Sequence, residues 1–291
     1  MDEILVLEKG ALDALKGRRF DLAINLDKER PALDTIMKAD AGKKIGFGRS
    51  ASGELCALDE KSDYAYRLGI DDDLKFRQNK KSYQTISFEQ LGLVFKGEEY
   101  VFSVDEESRR WAAEHLRSLG VAVQNRAPMI GLNTGSGNRF AGKKLPETTL
   151  ARLGTRLRDW LGASVLLVGG PDEIERNSRI QGMAPGVVNT GSHALKRFAA
   201  IVENCDAVLT GDTTALHVAI AVKTPVVAYF ASTCAPEIEL YGRGVKIVSP
   251  IACAPCYKKI CPIDEQCMKD MTVETLLEAI KETLCAEKTP R

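Results

Sequence analysis

Apolar residues fall in short runs, separated by stretches where they recur at helical spacing. The pattern is clearest in the second half. Apolar runs at residues 129–132, 164–168, 187–188, 207–210, 226–230 and 245–248 predict buried strands. Between them, residues 146–160, 194–203 and 215–222 carry helical patterns, and 272–284 predicts a terminal helix. Such alternation predicts an α/β fold built on a doubly wound parallel sheet. The first half is sparser. Strands are expected at 4–7, 20–26 and 43–47, with a helical turn at 10–16. Helices are expected at 31–38, 62–68, 87–91 and 106–119, the last with Trp111, Leu116 and Leu119 on its apolar side. The polar connection at 120–128 marks a boundary. It divides the chain into a domain at 1–124, a domain at 128–270 and a terminal helix segment at 271–291.

Composition narrows the function classes. Formal net charge is zero, so nothing global draws the chain to nucleic acid or an anionic membrane. No apolar run approaches the ~18 residues of a spanning helix. The N-terminus, MDEILVLEKG, has acids where an export signal has bases, which predicts a cytoplasmic protein. Eight cysteines in 291 residues do not form a disulfide scaffold.

The densest chemistry lies in residues 211–230, GDTTALHVAIAVKTPVVAYF. A strand ends at Gly211. Asp212, Thr213 and Thr214 can each cap the helix that follows, and a second strand closes the unit. Ligands of open α/β sheets sit at the carboxyl ends of strands, and anions favour helix N-termini. A Gly-rich stretch, NTGSGNRFAGKKLP at 133–146, leaves the first strand of the second domain. It narrowly misses two phosphate motifs. GxGxxG would need Gly where Phe140 stands, and a P-loop would need Ser or Thr where Lys144 stands. Asp172 or Glu173, after the 164–168 strand, is placed to accept a hydrogen bond from a ribose hydroxyl or to cap a helix.

These landmarks resemble glycosyltransferase family 9, the heptosyltransferase family. Asp212-Thr213-Thr214-Ala215-Leu216-His217 with Thr224-Pro225 downstream is similar to its signature. The Gly-rich turn followed by Lys143 and Pro146 is similar to its donor loop. The resemblance implies a GT-B fold of two facing Rossmann-like domains, with an N-terminal domain lacking its first two strands, the helix between them and the turn that carries the presumed catalytic base. Asp13 superficially resembles that base, which is left unassigned.

The resemblance further implies inverting, metal-independent transfer of heptose from ADP-heptose to a lipopolysaccharide core acceptor. Lys143 would stabilise the departing diphosphate. Thr134, Gly135, Ser136, Gly137, Asp172, His193, Asp212, Thr213, Thr214, Ala215 and His217 would bind the donor. No cofactor, metal or nucleic acid is implied. Any membrane contact would be peripheral, through the acceptor at the inner face of the inner membrane. A non-catalytic nucleotide-sugar-binding protein, or an epimerase or hydrolase of the same architecture, would fit the same residues.

Two further patterns stand apart. Asp71-Asp72-Asp73 reads as a solvated turn. Cys253, Cys256, Cys261 and Cys267 form C-x2-C-x4-C-x5-C, a density sufficient for a metal or for oxidation-prone thiols, with a spacing that matches neither a zinc ribbon nor a ferredoxin run.

Overall fold

In the computed structural model, residues 3–5, 15–124, 127–137, 140 and 142–286 are described. Asp13 and most of the expected elements at 4–7 and 10–16 lie outside them. The chain divides into two compact units. The first comprises residues 1–98 with 236–239, and the second comprises 99–235 with 240–291.

The first unit has a three-stranded sheet in the order β1-β2-β3, from β1 (Arg19–Asn25), β2 (Asp40–Arg49) and β3 (Leu55–Ala57). β1 and β2 are parallel, joined by helix α1 (Arg30–Lys38), which carries Pro31 in its first turn where the missing N–H costs nothing. β3 was not foreseen, and it returns antiparallel on β2, so this sheet is mixed rather than parallel. Helices α2 (Asp63–Arg67) and α3 (Tyr83–Gln90) complete the unit. Its core gathers Leu33, Phe47, Ala65, Leu68, Leu74 and Ile86.

The second unit opens with α4 (Glu106–Ser118), then β4 (Met129–Asn133), α5 (Glu147–Leu161), β5 (Ser164–Gly169), α6 (Ile174–Met183), β6 (Val188–Ser192), α7 (Leu195–Glu203), β7 (Ala207–Gly211), α8 (Thr214–Ala221), β8 (Val226–Phe230), β9 (Gly244–Val248), α9 (Gln266–Lys269) and α10 (Val273–Ala286). Its six strands pair in parallel in the order β6-β5-β4-β7-β8-β9. That is the doubly wound order, reversing between β4 and β7. β4, β7 and β8 are buried along their whole length, as central strands of a helix-covered parallel sheet must be. Alternate residues Ile130, Leu132, Val165, Leu167, Leu209 and Tyr229 share one core with Leu153, Leu157, Leu276 and Ile280.

Two sequence expectations change here, at the boundary and in α4. The contact division falls at 98/99 rather than near 124, because α4 packs on α7. Its buried stripe is Ser108, Ala112 and Leu116, while Leu119 is 37% exposed. Within the second unit the terminal helix α10 packs on α5 and on β7, β8 and β9. Helix α6 was unforeseen, since its sequence IERNSRIQGM has a weak apolar face.

Candidate functional site

The carboxyl ends of β4, β5 and β7 open into a cavity of about 500 Å³, lined by residues of the second unit alone. It lies at the reversal of strand order, where ligands of open α/β sheets are expected. The cavity is lined by Gly135, Ser136 and Gly137 after β4, by Gly170 and Glu173 after β5, by His193 after β6, by Asp212, Thr213, Thr214 and Ala215 after β7, and by Lys143.

Asn133, the last residue of β4, organises the floor. Its buried side-chain amide donates to the Gly135 carbonyl at 2.8 Å, to Thr210 Oγ1 at 3.0 Å and to Thr213 Oγ1 at 3.2 Å. Thr213 caps α8, its hydroxyl accepting from the Ala215 N–H at 3.1 Å. The α8 amino end therefore faces the cavity with its first amides and positive dipole end. Sequence reasoning passed over Asn133, because an Asn closing a strand looks like a turn residue until its amide is seen bridging two strands.

Lys143 is fixed from both ends. Its backbone carbonyl accepts from the buried Tyr229 hydroxyl at 3.3 Å. Gly211 lets that carbonyl come close, since a Cβ there would lie 3.1 Å from it. The ammonium, on a side chain only 13% exposed, lies 3.4 Å from Asp212 Oδ2. Burial pushes the Tyr229 phenol up to about 12, so it stays a donor.

Asp212 meets a second partner. His217 Nε2 lies 4.0 Å from Asp212 Oδ1, and His217 Nδ1 lies 3.0 Å from the Tyr100 hydroxyl. Burial is the main cause holding the imidazole below its ordinary value; Asp212 pulls it up and Lys143 pushes it down. A neutral ring with Nδ1–H would aim a lone pair at the carboxylate. The favourable arrangement has Tyr100 donating to Nδ1 and Nε2–H facing Asp212. Thus His217 stands behind Asp212 rather than in the cavity wall. Tyr100, from the segment before α4, is a partner no spacing pointed to.

Two other expected residues are placed differently. Asp172 is exposed, and its neighbour Glu173 faces the cavity instead. Pro171–Glu173 forms a single 3-10 turn in which Glu173 Oε2 accepts from the Gly170 N–H at 2.9 Å, so the turn carries Glu173 inward. The carboxyl group packs on Gly135, where a Cβ would lie 2.2 Å from Glu173 Cδ. Thr134 turns away as well, its buried hydroxyl donating to the Asn177 side chain on α6. Arg176, also on α6, donates to the carbonyls of Thr134 and Leu145 and pairs with Glu147, tying both ends of the Gly-rich loop to one helix.

His193 lines the cavity with Leu195 and Phe198. Its Nε2 and that of His115 both approach the Thr190 carbonyl, at 2.6 and 2.9 Å. Trp111 packs on both rings, with centroids 4.8 Å from His115 and 4.6 Å from His193. Burial chiefly holds His193 below its ordinary value. An apolar slot beside a polar, amide-rich floor suits a base and a phosphate chain together.

The cysteine loop borders the Gly-rich loop. The Tyr257 ring meets Phe140 edge-on with centroids 5.3 Å apart, and the Tyr257 hydroxyl accepts from the Cys234 N–H at 3.1 Å. Cys267 is buried under Gly142, and its thiol is pushed up to about 11 by burial first and then by Cys261, Cys253 and Cys256. Among the described residues, no three or more His, Cys, Asp or Glu side chains are placed to hold a metal ion. The acidic run, expected as a turn, opens a short helical segment: Asp72 and Asp73 are helical, and Asp71 Oδ1 accepts from the Leu74 N–H at 2.9 Å.

The fold is that of a two-unit α/β protein of GT-B type, with a cavity at the switch point of its second sheet. The sequence model of glycosyltransferase family 9 (heptosyltransferase) matches residues 11–266, and the chain belongs to that family. Lipooligosaccharide heptosyltransferase 2 of Campylobacter jejuni subsp. jejuni serotype O:6 is 31% identical over 90 residues, which are 30% of this chain and 28% of that relative's length. A family 9 glycosyl transferase from Veillonella parvula DSM 2008 superposes with a TM-score of 0.64 at 22% identity, covering 91% of this chain and 74% of that one. E. coli ADP-heptose lps heptosyltransferase II gives 0.59 at 19% identity, covering 92% and 78%.

Proposed function

We propose that this chain transfers a heptose from ADP-heptose to a lipopolysaccharide core acceptor, with inversion and without a metal ion. The observation that carries this reading is the convergence of Lys143, the α8 amino end and the Ser136–Gly137 turn on one cavity at the sheet's switch point. An acceptor hydroxyl attacks the anomeric carbon as the bond from that carbon to the diphosphate oxygen breaks. The hydroxyl proton leaves to a base, and ADP departs with both bonding electrons. Negative charge grows on the diphosphate while the sugar becomes oxocarbenium-like. A fixed ammonium and helix-start amides stabilise that growing charge, a role a divalent cation would otherwise fill. Asp212 keeps the ammonium aimed, and His217 with Tyr100 keeps Asp212 in place. Glu173 is the carboxylate for a ribose hydroxyl, and the His193–Phe198 slot takes the adenine.

No helix among the described residues is long and apolar enough to cross a membrane. In this reading the protein meets the membrane through its acceptor, at the inner face of the inner membrane.

The test is calorimetric titration with ADP, UDP and GDP on the parent and on Lys143→Ala. Selective ADP binding, weakened about tenfold or more by the substitution, is expected. No binding of any nucleotide would sink the reading, and equal binding of all three would sink the choice of ADP. Retention of turnover in EDTA tests metal independence.

A further inference from the structure

The cysteine-bearing segment after β9 presents a surface that the transfer reaction does not use. Tyr257, Asp264 and Glu265 hold left-handed backbone, with φ of 48°, 49° and 51°. Such angles strain a non-glycine residue and persist only where surrounding contacts impose them. Five non-glycine residues among the described ones have positive φ, and three of them bracket one tip, KKICPI at 258–263. The feet of that tip are fastened. The Tyr257 N–H donates to the Ser232 carbonyl at 2.9 Å, and the Glu265 N–H donates to Cys261 Sγ at 3.2 Å. Cys267 and Met268, just beyond, are buried.

What this fastened loop shows to solvent is apolar. Ile260 is 85% exposed and Ile263 is 47% exposed, and Pro262 between them is exposed as well. A single exposed isoleucine needs no explanation. Two on a tip held by strained backbone are a feature that the fold maintains. Lys258 and Lys259 adjoin them, both exposed, with no ion pair or hydrogen bond among the described residues. The acids nearby are engaged. Asp264 pairs with Lys269, and Asp270 accepts from the Gln266 amide at 2.6 Å. Glu265 faces the Gly-rich loop, in a small cavity that Lys143, Lys144 and Lys259 also line. Two ammoniums beside two isoleucines are what the tip offers a partner.

Size and charge choose among partners. A lasting protein interface takes ~20–30 residues a side, far more than this tip. A second copy would set lysines against lysines across a twofold contact. A bilayer needs no matching shape. Its interface accepts aliphatic side chains, and its anionic headgroups draw ammoniums.

We propose that residues 258–263 dock the protein on an anionic lipid surface, with Ile260 and Ile263 inserted below the headgroups and Lys258 and Lys259 against the lipid phosphates. Each lysine at such a surface contributes about fivefold in affinity. Each isoleucine taken out of water contributes on the order of tenfold. Together they give a weak, reversible hold of the kind a single acyl chain provides. The docking stands on this loop and does not need the donor cavity.

The experiment is co-sedimentation of the full 291-residue chain with two kinds of vesicle, phosphatidylcholine alone and phosphatidylcholine mixed equally with phosphatidylglycerol. Binding to the mixed vesicles is expected to exceed binding to the neutral ones about tenfold or more, and to fall with added salt. Lys258→Gln with Lys259→Gln should remove that preference. Ile260→Ser with Ile263→Ser should weaken binding to the mixed vesicles about tenfold or more. Both double variants should keep the parent's unfolding midpoint, since none of the four side chains is buried. The proposal is overturned if the parent binds neither vesicle, if it binds both equally, or if both double variants bind like the parent. Sedimentation velocity without lipid tests the other occupant: a parent dimer that the isoleucine variant turns into a monomer would give the tip to a second copy and overturn the proposal. ADP is titrated into the same parent sample. ADP binding without vesicle binding removes only the docking, whereas vesicle binding without ADP binding removes the donor reading and leaves the docking.

Discussion

The second unit's cavity and a cavity in the first unit differ in how completely the protein satisfies its own polar groups. In the second unit, Asn133 makes three hydrogen bonds, Thr213 caps α8 and Lys143 faces Asp212 before any ligand arrives. In the first unit, Gln90 Nε2 is buried with no hydrogen-bond partner among the described residues, and Lys28 turns its ammonium to the Ala65 carbonyl. The second unit's cavity is preorganised, so an anion entering it would find charges already aimed. Preorganisation comes where a parallel sheet collects strand ends at one switch point. The first unit's cavity also takes a strand end, at Ile24 and Asn25 of β1, but its other walls come from helices α2 and α3 and the segments beside them.

Substitutions can break or sharpen this contrast. The largest expected effect is Lys143→Ala, which should lower turnover about 10²–10³-fold with little change in the unfolding midpoint. Turnover within a few-fold of the parent would remove Lys143 from the leaving-group role. Next is Asn133→Leu, which removes the amide whose two hydrogens serve two buried acceptors and the part-buried Thr213 hydroxyl; a loss of about 2–4 kcal/mol is expected in denaturant unfolding. A change under about 1 kcal/mol would show that the donor floor is no better knit than the first cavity. Glu173→Ala should weaken ADP binding about tenfold, while Asp172→Asn leaves it unchanged. The reverse result would restore the residue first read from the sequence.

The smallest effect concerns the histidines. His217 and His193 are held below the ordinary imidazole value of 6.5. Their stabilising contribution is therefore complete above that value. As pH falls through it toward the lowered folded values, the unfolded chain takes up protons that the folded one resists, and stability declines. Unfolding midpoints should drop between pH 7 and pH 5, with a shallower slope in His217→Gln. Tyr100→Phe removes a hydrogen bond worth about 0.5–1.5 kcal/mol. It should also raise the His217 titration seen by NMR, because the neutral ring loses the donor to Nδ1. An unmoved titration would make Tyr100 mere packing.

The legibility of the sequence follows the same contrast. The second unit's strands were readable because central parallel strands are continuous apolar runs, and Lys143 and Asp212–Ala215 were readable because they sit at fixed offsets from strand ends. The choice between Asp172 and Glu173 was not, because a single 3-10 turn decides which carboxylate points inward. Tyr100 and the α4–α7 packing depend on residues far apart in sequence, which local periodicity cannot register. In the first unit, β3 is three residues long, too short to carry an alternation, and Gln90 looks like any polar helix end until its burial is known.

The short excursion at 236–239 bears on how such proteins could be recombined. The chain enters the second unit at residue 99, yields four residues back to the first, and re-enters at 240. One of those four, Glu237, lines the first unit's cavity. A chimaera joined at 98/99 would therefore inherit a cavity missing its own carboxylate and receive its new partner's instead. Carrying the four-residue insert with the N-terminal piece would keep the lining of that cavity together.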